Sequence, residues 1–203
     1  MGGIGPGTEG GSNGSETSPA IADGELYTAT YSGDLFSIAT KDGKVRWKAR
    51  TNDDTDASCV IGGDFVYAAS EERDSKLYCF ARENGREVWR YTANRAGYWS
   101  TPAYSDGHIY IGGDDTNLHC VDAKTGAGIW TFKTGGSIWS SPAVVDGKVV
   151  FGSRDFHLYC VEAATGKEIW RVKADGRIIS SPCIVGGVIW VGTATGYFYC
   201  FGK

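Results

Sequence analysis

Histidine, methionine, metal-ligand spacings and long apolar runs are all scarce or missing in this chain. Its 203 residues include three His and one Met, and its six Cys form no Cys-x-x-Cys pair. The spacing typical of a zinc site is therefore missing, and we expect no metal site. The chain has no run of about 18 apolar residues, the length that a membrane-spanning helix needs. The formal net charge of −4 argues against nucleic-acid binding, which requires a basic surface.

The first 16 residues have the composition of a disordered tail. They are rich in Gly and Ser and contain one aliphatic residue besides Met1, namely Ile4. Such a segment buries too little apolar surface to offset its ordering entropy. No basic region followed by an apolar stretch occurs here, so we expect no signal peptide in this chain. The remaining residues, 17–203, form the folded domain in this interpretation.

A repeat of about 40 residues organises the rest of the chain. Four tryptophans recur at intervals of 42, 41 and 40 residues, and each follows a turn glycine by four positions. Such a period is typical of repeat architectures, in which neighbouring units bury each other's apolar faces. The paired positions are Gly43 and Trp47, Gly85 and Trp89, Gly126 and Trp130, and Gly166 and Trp170.

Each repeat reads as a small antiparallel sheet. Residues 140–174 contain four short apolar runs, separated by Asp146-Gly147, Arg154-Asp155 and Thr165-Gly166, which favour turns. This pattern predicts a four-stranded meander. Meanders of this length arranged around an axis form a β-propeller, so the sequence predicts an all-β propeller of about five blades. The predicted blades are residues 17–51, 56–93, 100–134, 140–174 and 180–203.

The fifth blade is incomplete in the sequence, because it has neither a final turn glycine nor a docking tryptophan. Three arrangements stay open: a five-bladed ring with one three-stranded blade, an open arc that belongs to a larger ring, and an arc completed by self-association. Open ends would expose apolar faces or an unpaired strand edge, which promote association. We therefore expect self-association through the last blade if the ring does not close.

Two segments carry a family resemblance. The runs VDAKTGAGIW (residues 121–130) and VEAATGKEIW (residues 161–170) resemble the repeats of the PQQ-like, or quinoprotein-type, β-propeller superfamily. The resemblance covers residues 17–203 and implies that each repeat tryptophan packs on the turn of a neighbouring blade. It implies less about activity, because the superfamily includes PQQ-dependent dehydrogenases and non-catalytic, BamB-like assembly proteins. It also suggests a periplasmic or cell-envelope location if the chain is part of an exported protein, and a cytoplasmic one otherwise.

The cysteines follow the repeat and therefore look structural. Cys79, Cys120, Cys160 and Cys200 hold one equivalent position in four units, and Cys59 and Cys183 are assigned to another. Equivalent residues in stacked sheets lie about 10 Å apart, too far for a disulfide. We expect all six to be small buried apolar residues. Trp190, which takes the place of Tyr110, is likewise expected in the core.

Two tryptophans outside the repeat are the candidate binding residues. Trp99 and Trp139 each directly precede an innermost strand, and Ile179 holds the matching position in the fifth unit. They should reach one mouth of the central channel, beside a collar of Ser and Thr. A channel-mouth aromatic could stack on a planar cofactor, but large apolar residues in repeats are more often packing elements. The acidic residues Asp53, Asp54 and Asp56 are expected in a solvated loop.

The function expected from these features is a non-catalytic scaffold that binds a protein or peptide at the channel mouth, without a cofactor. No acid, base or activated nucleophile recurs beside the collar hydroxyls. The alternative is a fragment of a PQQ-dependent dehydrogenase, in which Trp99 or Trp139 stacks on the quinone and calcium is bound. Against it, the chain has no adjacent cysteine pair, which the dehydrogenases of the superfamily carry beside their cofactor.

Overall fold

The computed structural model describes residues 15, 17–71, 75–93 and 97–202. Within these residues it contains nineteen β-strands and no helix. The predicted tail, residues 1–16, lies outside the described residues except for Ser15. The strands form five separate antiparallel sheets in chain order, four of four strands and the last of three. This confirms the predicted all-β propeller of about five blades with an incomplete last blade.

Each sheet is a meander in which every strand pairs with the next one along the chain. Blade 1 comprises β1 (Ala20–Ala22), β2 (Glu25–Ala29), β3 (Asp34–Ala39) and β4 (Val45–Arg50). Blade 2 comprises β5 (Val60–Gly62), β6 (Phe65–Ala69), β7 (Lys76–Ala81) and β8 (Glu87–Thr92). Blade 3 comprises β9 (Ala103–Ser105), β10 (His108–Gly112), β11 (Asn117–Asp122) and β12 (Gly128–Lys133). Blade 4 comprises β13 (Ala143–Val145), β14 (Lys148–Gly152), β15 (His157–Glu162) and β16 (Glu168–Lys173). Blade 5 comprises β17 (Cys183–Val185), β18 (Val188–Gly192) and β19 (Phe198–Phe201).

The blades pack face to face, and their third strands show which of them have two neighbours. In blades 2, 3 and 4 the central four residues of the third strand are all buried. In blades 1 and 5 the same strand alternates between more and less exposed positions. A strand buried on both faces is covered on both faces. The five blades therefore form an open arc, in which the first and last sheets are each covered on one side.

A belt of hydroxyl groups connects the blades around the axis. Just before each innermost strand, the backbone N–H of one blade donates to the Ser or Thr hydroxyl of the next blade at 2.9–3.1 Å. Through these bonds the backbone N–H groups just before the innermost strands have acceptors, although no neighbouring strand pairs with them. The belt consists of Ser18, Ser58, Thr101, Ser141 and Ser181.

Four assignments made from the sequence were wrong. Cys183 and Cys200 are exposed, although the other four thiols are buried. Trp190, expected in the core, is 40% exposed. All three residues lie in blade 5, on the face that no other sheet of the described residues covers. The strand register also separates Cys59 from Cys183: Val60, not Cys59, pairs with the second strand as Cys183 does.

Candidate functional site

The repeat tryptophans join each blade to the next. The indole N–H of Trp47 donates to the carbonyl oxygen of Arg82 at 2.8 Å, and that of Trp89 donates to Ala123 at 3.1 Å. Trp130 makes the same bond to Ala163 at 3.1 Å. Each acceptor lies in the outer turn of the following blade, so one hydrogen bond and one ring contact recur at all three complete blade junctions.

The outer turns on which these tryptophan rings pack require glycine. Gly85, Gly126 and Gly166 have φ between 71° and 75°, the left-handed region that side chains disfavour. A Cβ at any of the three would also lie 2.6 Å from the ring of the preceding blade's tryptophan. Gly43 has a similar φ of 68°, but nothing lies within 4 Å of the place its Cβ would take. Gly43 therefore lies in an outer turn of the same kind, but no tryptophan of the described residues packs on it.

The channel-mouth tryptophans lie together at the end of the arc where the innermost strands begin. The ring centroids of Trp99 and Trp139 are 5.5 Å apart with an interplanar angle of 32°. Both indole N–H groups donate to one carboxylate, that of Asp114, at 3.0 and 2.6 Å. The Arg154 guanidinium lies 4.0 Å from the Trp139 ring centroid. We call these four residues the mouth cluster, and all four are half-buried.

The mouth cluster is a preorganised polar and aromatic surface. A carboxylate that accepts two indole N–H bonds fixes the orientation of both rings, and the guanidinium over Trp139 adds a cation–π contact. Rigid aromatic side chains beside an arginine are the composition enriched in protein-binding surfaces. Trp99 and Trp139 were identified from the sequence. Their link through Asp114 was not, because an aspartate at a hairpin turn is explained by turn formation alone.

A buried carboxyl pair lies between the loops of blade 2 at the same end of the arc. Glu71 is 5% exposed and hydrogen-bonds the carboxyl of Asp56. Burial, followed by the hydrogen bond and the negative charges of Asp56 and Asp54, raises the pKa of Glu71 to about 8. Asp53, Asp54 and Asp56 lie in the loop between blades 1 and 2, as expected, and are half-buried there. Glu71 was not recognised from the sequence, because its partner lies in another loop.

The Glu71 pair predicts a pH-dependent stability. In the unfolded chain a Glu side chain releases its proton near pH 4.5, whereas in the folded chain it keeps that proton until about pH 8. The folded state therefore loses stability as the pH rises between these values. We expect Glu71→Gln, which keeps the shape without an ionisable group, to reduce this loss and to raise the thermal midpoint at pH 8–9. Thermal unfolding at several pH values measures the effect, and Glu83→Gln on the exposed turn of blade 2 is the control.

The buried thiols and the buried histidine of the described residues have structural surroundings. Burial raises the pKa of the thiols of Cys59, Cys79 and Cys120 to about 12, which keeps them protonated and unreactive at neutral pH. His119 is 2% exposed and bonds the Tyr91 hydroxyl and the Asp115 carboxylate. It holds the position that tyrosine holds at Tyr78 and Tyr159 in the neighbouring blades. Within the described ranges no group of three or more His, Cys, Asp or Glu is arranged to hold a metal ion.

The features of this fold match one known protein family. A family model described as outer membrane protein assembly factor BamB matches residues 7–74, 73–157 and 140–201. The chain belongs to this family. The resemblance to PQQ-like repeats stated from the sequence is thereby confirmed.

Similar proteins include both assembly factors and an enzyme. Outer membrane protein assembly factor BamB of Salmonella typhimurium is 24% identical over 111 residues, which cover 55% of this chain and 27% of that protein. Quinohemoprotein alcohol dehydrogenase ADH-IIG of Pseudomonas putida is 28% identical over 121 residues, covering 60% of this chain and 12% of the enzyme. The crystal structure of BamB from Moraxella catarrhalis matches with a TM-score of 0.81 at 21% identity.

The matches cover most or about half of this chain but a smaller share of each matched protein. The match spans 92% of this chain and 61% of the Moraxella catarrhalis structure. The chain spans about a quarter of the length of the first curated relatives it matches. No helix in the described part of the structure is long and apolar enough to cross a membrane.

Proposed function

We propose that this chain is a non-catalytic propeller scaffold that binds a polypeptide of an outer-membrane assembly system at the mouth cluster. The single observation that carries the proposal is the carboxylate of Asp114, which receives the indole N–H groups of both Trp99 and Trp139. It holds two large rings half-exposed at a fixed angle. Such a surface can accept a side chain or a loop of a partner without losing much conformational entropy on binding. The family to which the chain belongs supports an assembly role.

The mouth cluster fits a quinone cofactor poorly. A tricarboxylate such as PQQ needs an open aromatic face and surrounding positive charge. One face of Trp139 is covered by Arg154, Trp99 is packed beside Trp139, and the carboxylate of Asp114 lies between the two indole N–H groups. We propose that the chain acts without PQQ and without calcium.

Site-specific crosslinking tests whether a partner polypeptide binds at the mouth cluster. A photo-crosslinking residue is placed at Arg177, which is exposed at the mouth end, or at Asp146, an exposed turn residue at the other end of the inner strands. Expressed in a bacterium that has an outer membrane, the protein should crosslink from position 177 to an outer-membrane assembly component. The crosslink should weaken in Trp139→Ala and persist in Ile129→Ala, whose side chain is exposed on an outer strand. Equal crosslinking from both positions would contradict a partner at the mouth.

The second candidate is a quinone-dependent dehydrogenase, favoured by the match to the Pseudomonas putida enzyme. It predicts that PQQ with calcium quenches tryptophan fluorescence saturably in the micromolar range, and that Trp139→Ala removes most of this quenching. For the scaffold, we expect only the linear loss of signal caused by the absorbance of PQQ. Saturable quenching that depends on Trp139 would therefore contradict the scaffold function and support the dehydrogenase.

A further inference from the structure

In the first two blades, a cationic side chain of the fourth strand lies on an aromatic ring of the third strand. The ammonium group of Lys48 lies 5.4 Å from the ring centroid of Phe36, its partner across the strand pair. The guanidinium of Arg90 lies 5.6 Å from the ring centroid of Tyr78, again its cross-strand partner. Each contact is a cation–π interaction, and its recurrence makes it a feature of the repeat.

Blade 4 keeps a cation at this position and blade 3 does not. In blade 4, Arg171 pairs with Tyr159 across the strands and its guanidinium donates a hydrogen bond to the tyrosine hydroxyl. In blade 3 the equivalent pair is His119 and Thr131. Threonine is short and uncharged, and histidine is smaller than tyrosine. Blade 3 therefore lacks both the cation and much of the side-chain volume that the other blades have here.

An open cleft of about 370 Å³ lies at this place between blades 2 and 3. Its volume falls near the lower end of the range of small-molecule pockets. Blades 2 and 3 both have four strands, so the cleft does not arise from the incomplete fifth blade. Its walls include Tyr91, Asp115, Asn117, His119 and Thr131.

The Asp115 carboxylate in this cleft has no Lys or Arg partner among the described residues. It accepts the backbone N–H of Asn117 at 3.0 Å and lies 3.1–3.2 Å from Nε2 of His119. Burial raises the pKa of Asp115, but the hydrogen bonds from His119 and Asn117 outweigh it and hold the pKa below its usual value. The carboxylate is therefore charged at neutral pH.

The histidine does not need to supply the missing positive charge. Nδ1 of His119 lies 3.2 Å from the Tyr91 hydroxyl, and Nε2 faces the Asp115 carboxylate. A neutral imidazole makes both bonds, because it donates from Nε2 and accepts from the hydroxyl at Nδ1. The cleft thus holds a carboxylate and an aromatic face in the place where the other blades hold a cation.

We propose that the cleft between blades 2 and 3 binds the guanidinium group of a small organic cation, in the position that Arg171 holds in blade 4. The planar guanidinium donates to the Asp115 carboxylate and lies against the His119 ring, the two kinds of contact that this group makes best. Its alkyl chain leaves the cleft past the exposed Thr131. The site is separate from the mouth cluster and does not depend on the proposed function.

Butylguanidinium is the probe, and its binding is followed through the backbone amide NMR signals of Asn117, His119 and Thr131. We expect saturable shifts with a Kd on the order of 1 mM, as suits a small ligand with one charge. Butylurea has nearly the same shape without the charge and should bind at least about tenfold more weakly. The indole N–H signal of Trp139 in the mouth cluster should not move.

Matched variants test the two groups that define the site. Thr131→Arg gives blade 3 the cation of its neighbours and should abolish binding, whereas Ile169→Arg adds the same charge at an exposed position of blade 4 and should preserve it. Asp115→Asn should weaken binding about tenfold, and Asp146→Asn on an exposed turn should not. Circular dichroism checks that each variant is folded.

Three results would overturn the proposal. The first is the absence of saturable shifts up to about 20 mM butylguanidinium, more than ten times the expected Kd. The second is equal binding of butylguanidinium and butylurea, which would mean that the cleft does not recognise charge. The third is unchanged binding in folded Thr131→Arg and Asp115→Asn, which would place the ligand elsewhere.

Discussion

Replacing Trp89 with alanine is expected to lower the free energy of unfolding by about 3 kcal/mol, the usual cost of deleting a large core aromatic. The Trp89 ring packs on Gly126, donates to the Ala123 carbonyl at 3.1 Å and lies 5.7 Å from the Tyr67 ring. Alanine would remove the hydrogen bond and leave a cavity between blades 2 and 3. Urea-induced unfolding, followed by circular dichroism, measures the change.

Trp170→Ala is the matched control for this effect. Trp170 holds the same position in its blade, but its docking turn is absent among the described residues and an open cleft takes its place. Its truncation therefore creates less new cavity and breaks no indole hydrogen bond to a following turn. We expect a loss of less than about half that of Trp89→Ala. Equal losses for the two variants would mean that the tryptophans act within their own blades and not between blades.

Gly126→Ala is expected to destabilise the protein by about 2–4 kcal/mol, the second large effect. Part of the loss, about 1 kcal/mol, is the cost of the left-handed conformation for alanine. The rest, about 1–3 kcal/mol, is the overlap of the new Cβ with the Trp89 ring, which must move. That Cβ would lie 2.6 Å from the nearest atom of the Trp89 ring, much closer than van der Waals contact.

Gly43→Ala separates these two contributions. Gly43 has nearly the same φ as Gly126, yet its Cβ would meet no atom within 4 Å. We expect this variant to show only the conformational cost of about 1 kcal/mol. Differential scanning calorimetry on both variants gives the comparison. If Gly43→Ala is as destabilising as Gly126→Ala, the glycines are needed for the turn alone and the ring contact contributes nothing.

The repeat could be read from the sequence because it depends on local rules that recur. Turn glycines at a fixed distance before each tryptophan require a left-handed backbone, and this requirement is visible in any single blade. The third strands are apolar on both faces in the sequence, as in Leu77, Tyr78, Cys79 and Phe80, and in blades 2 to 4 both faces are buried. Even the incomplete fifth blade followed from the missing glycine and tryptophan near the end of the repeat.

The mouth could be predicted only in part. Trp99 and Trp139 stood out because each precedes an innermost strand. Asp114 bonds Trp99, which lies 15 positions away in the same blade, and Trp139, which lies 25 positions away before the next blade. No local sequence pattern shows contacts over such separations. The pair of Glu71 and Asp56 was missed for the same reason, since each acid alone looks like a solvated loop residue.

The sequence alone determined the blade, its period and the number of blades, because turn propensity and strand alternation act over a few residues. The tertiary structure decided which surfaces are covered. Trp190 and Cys200 occupy positions that are buried in blades 2 to 4, and the position of Cys183 is half-buried there. All three are exposed in blade 5, because no further sheet of the described residues packs on that face. Burial in a repeat protein belongs to the junction between neighbours, so the same residue type at the same position is core in one blade and surface in the next.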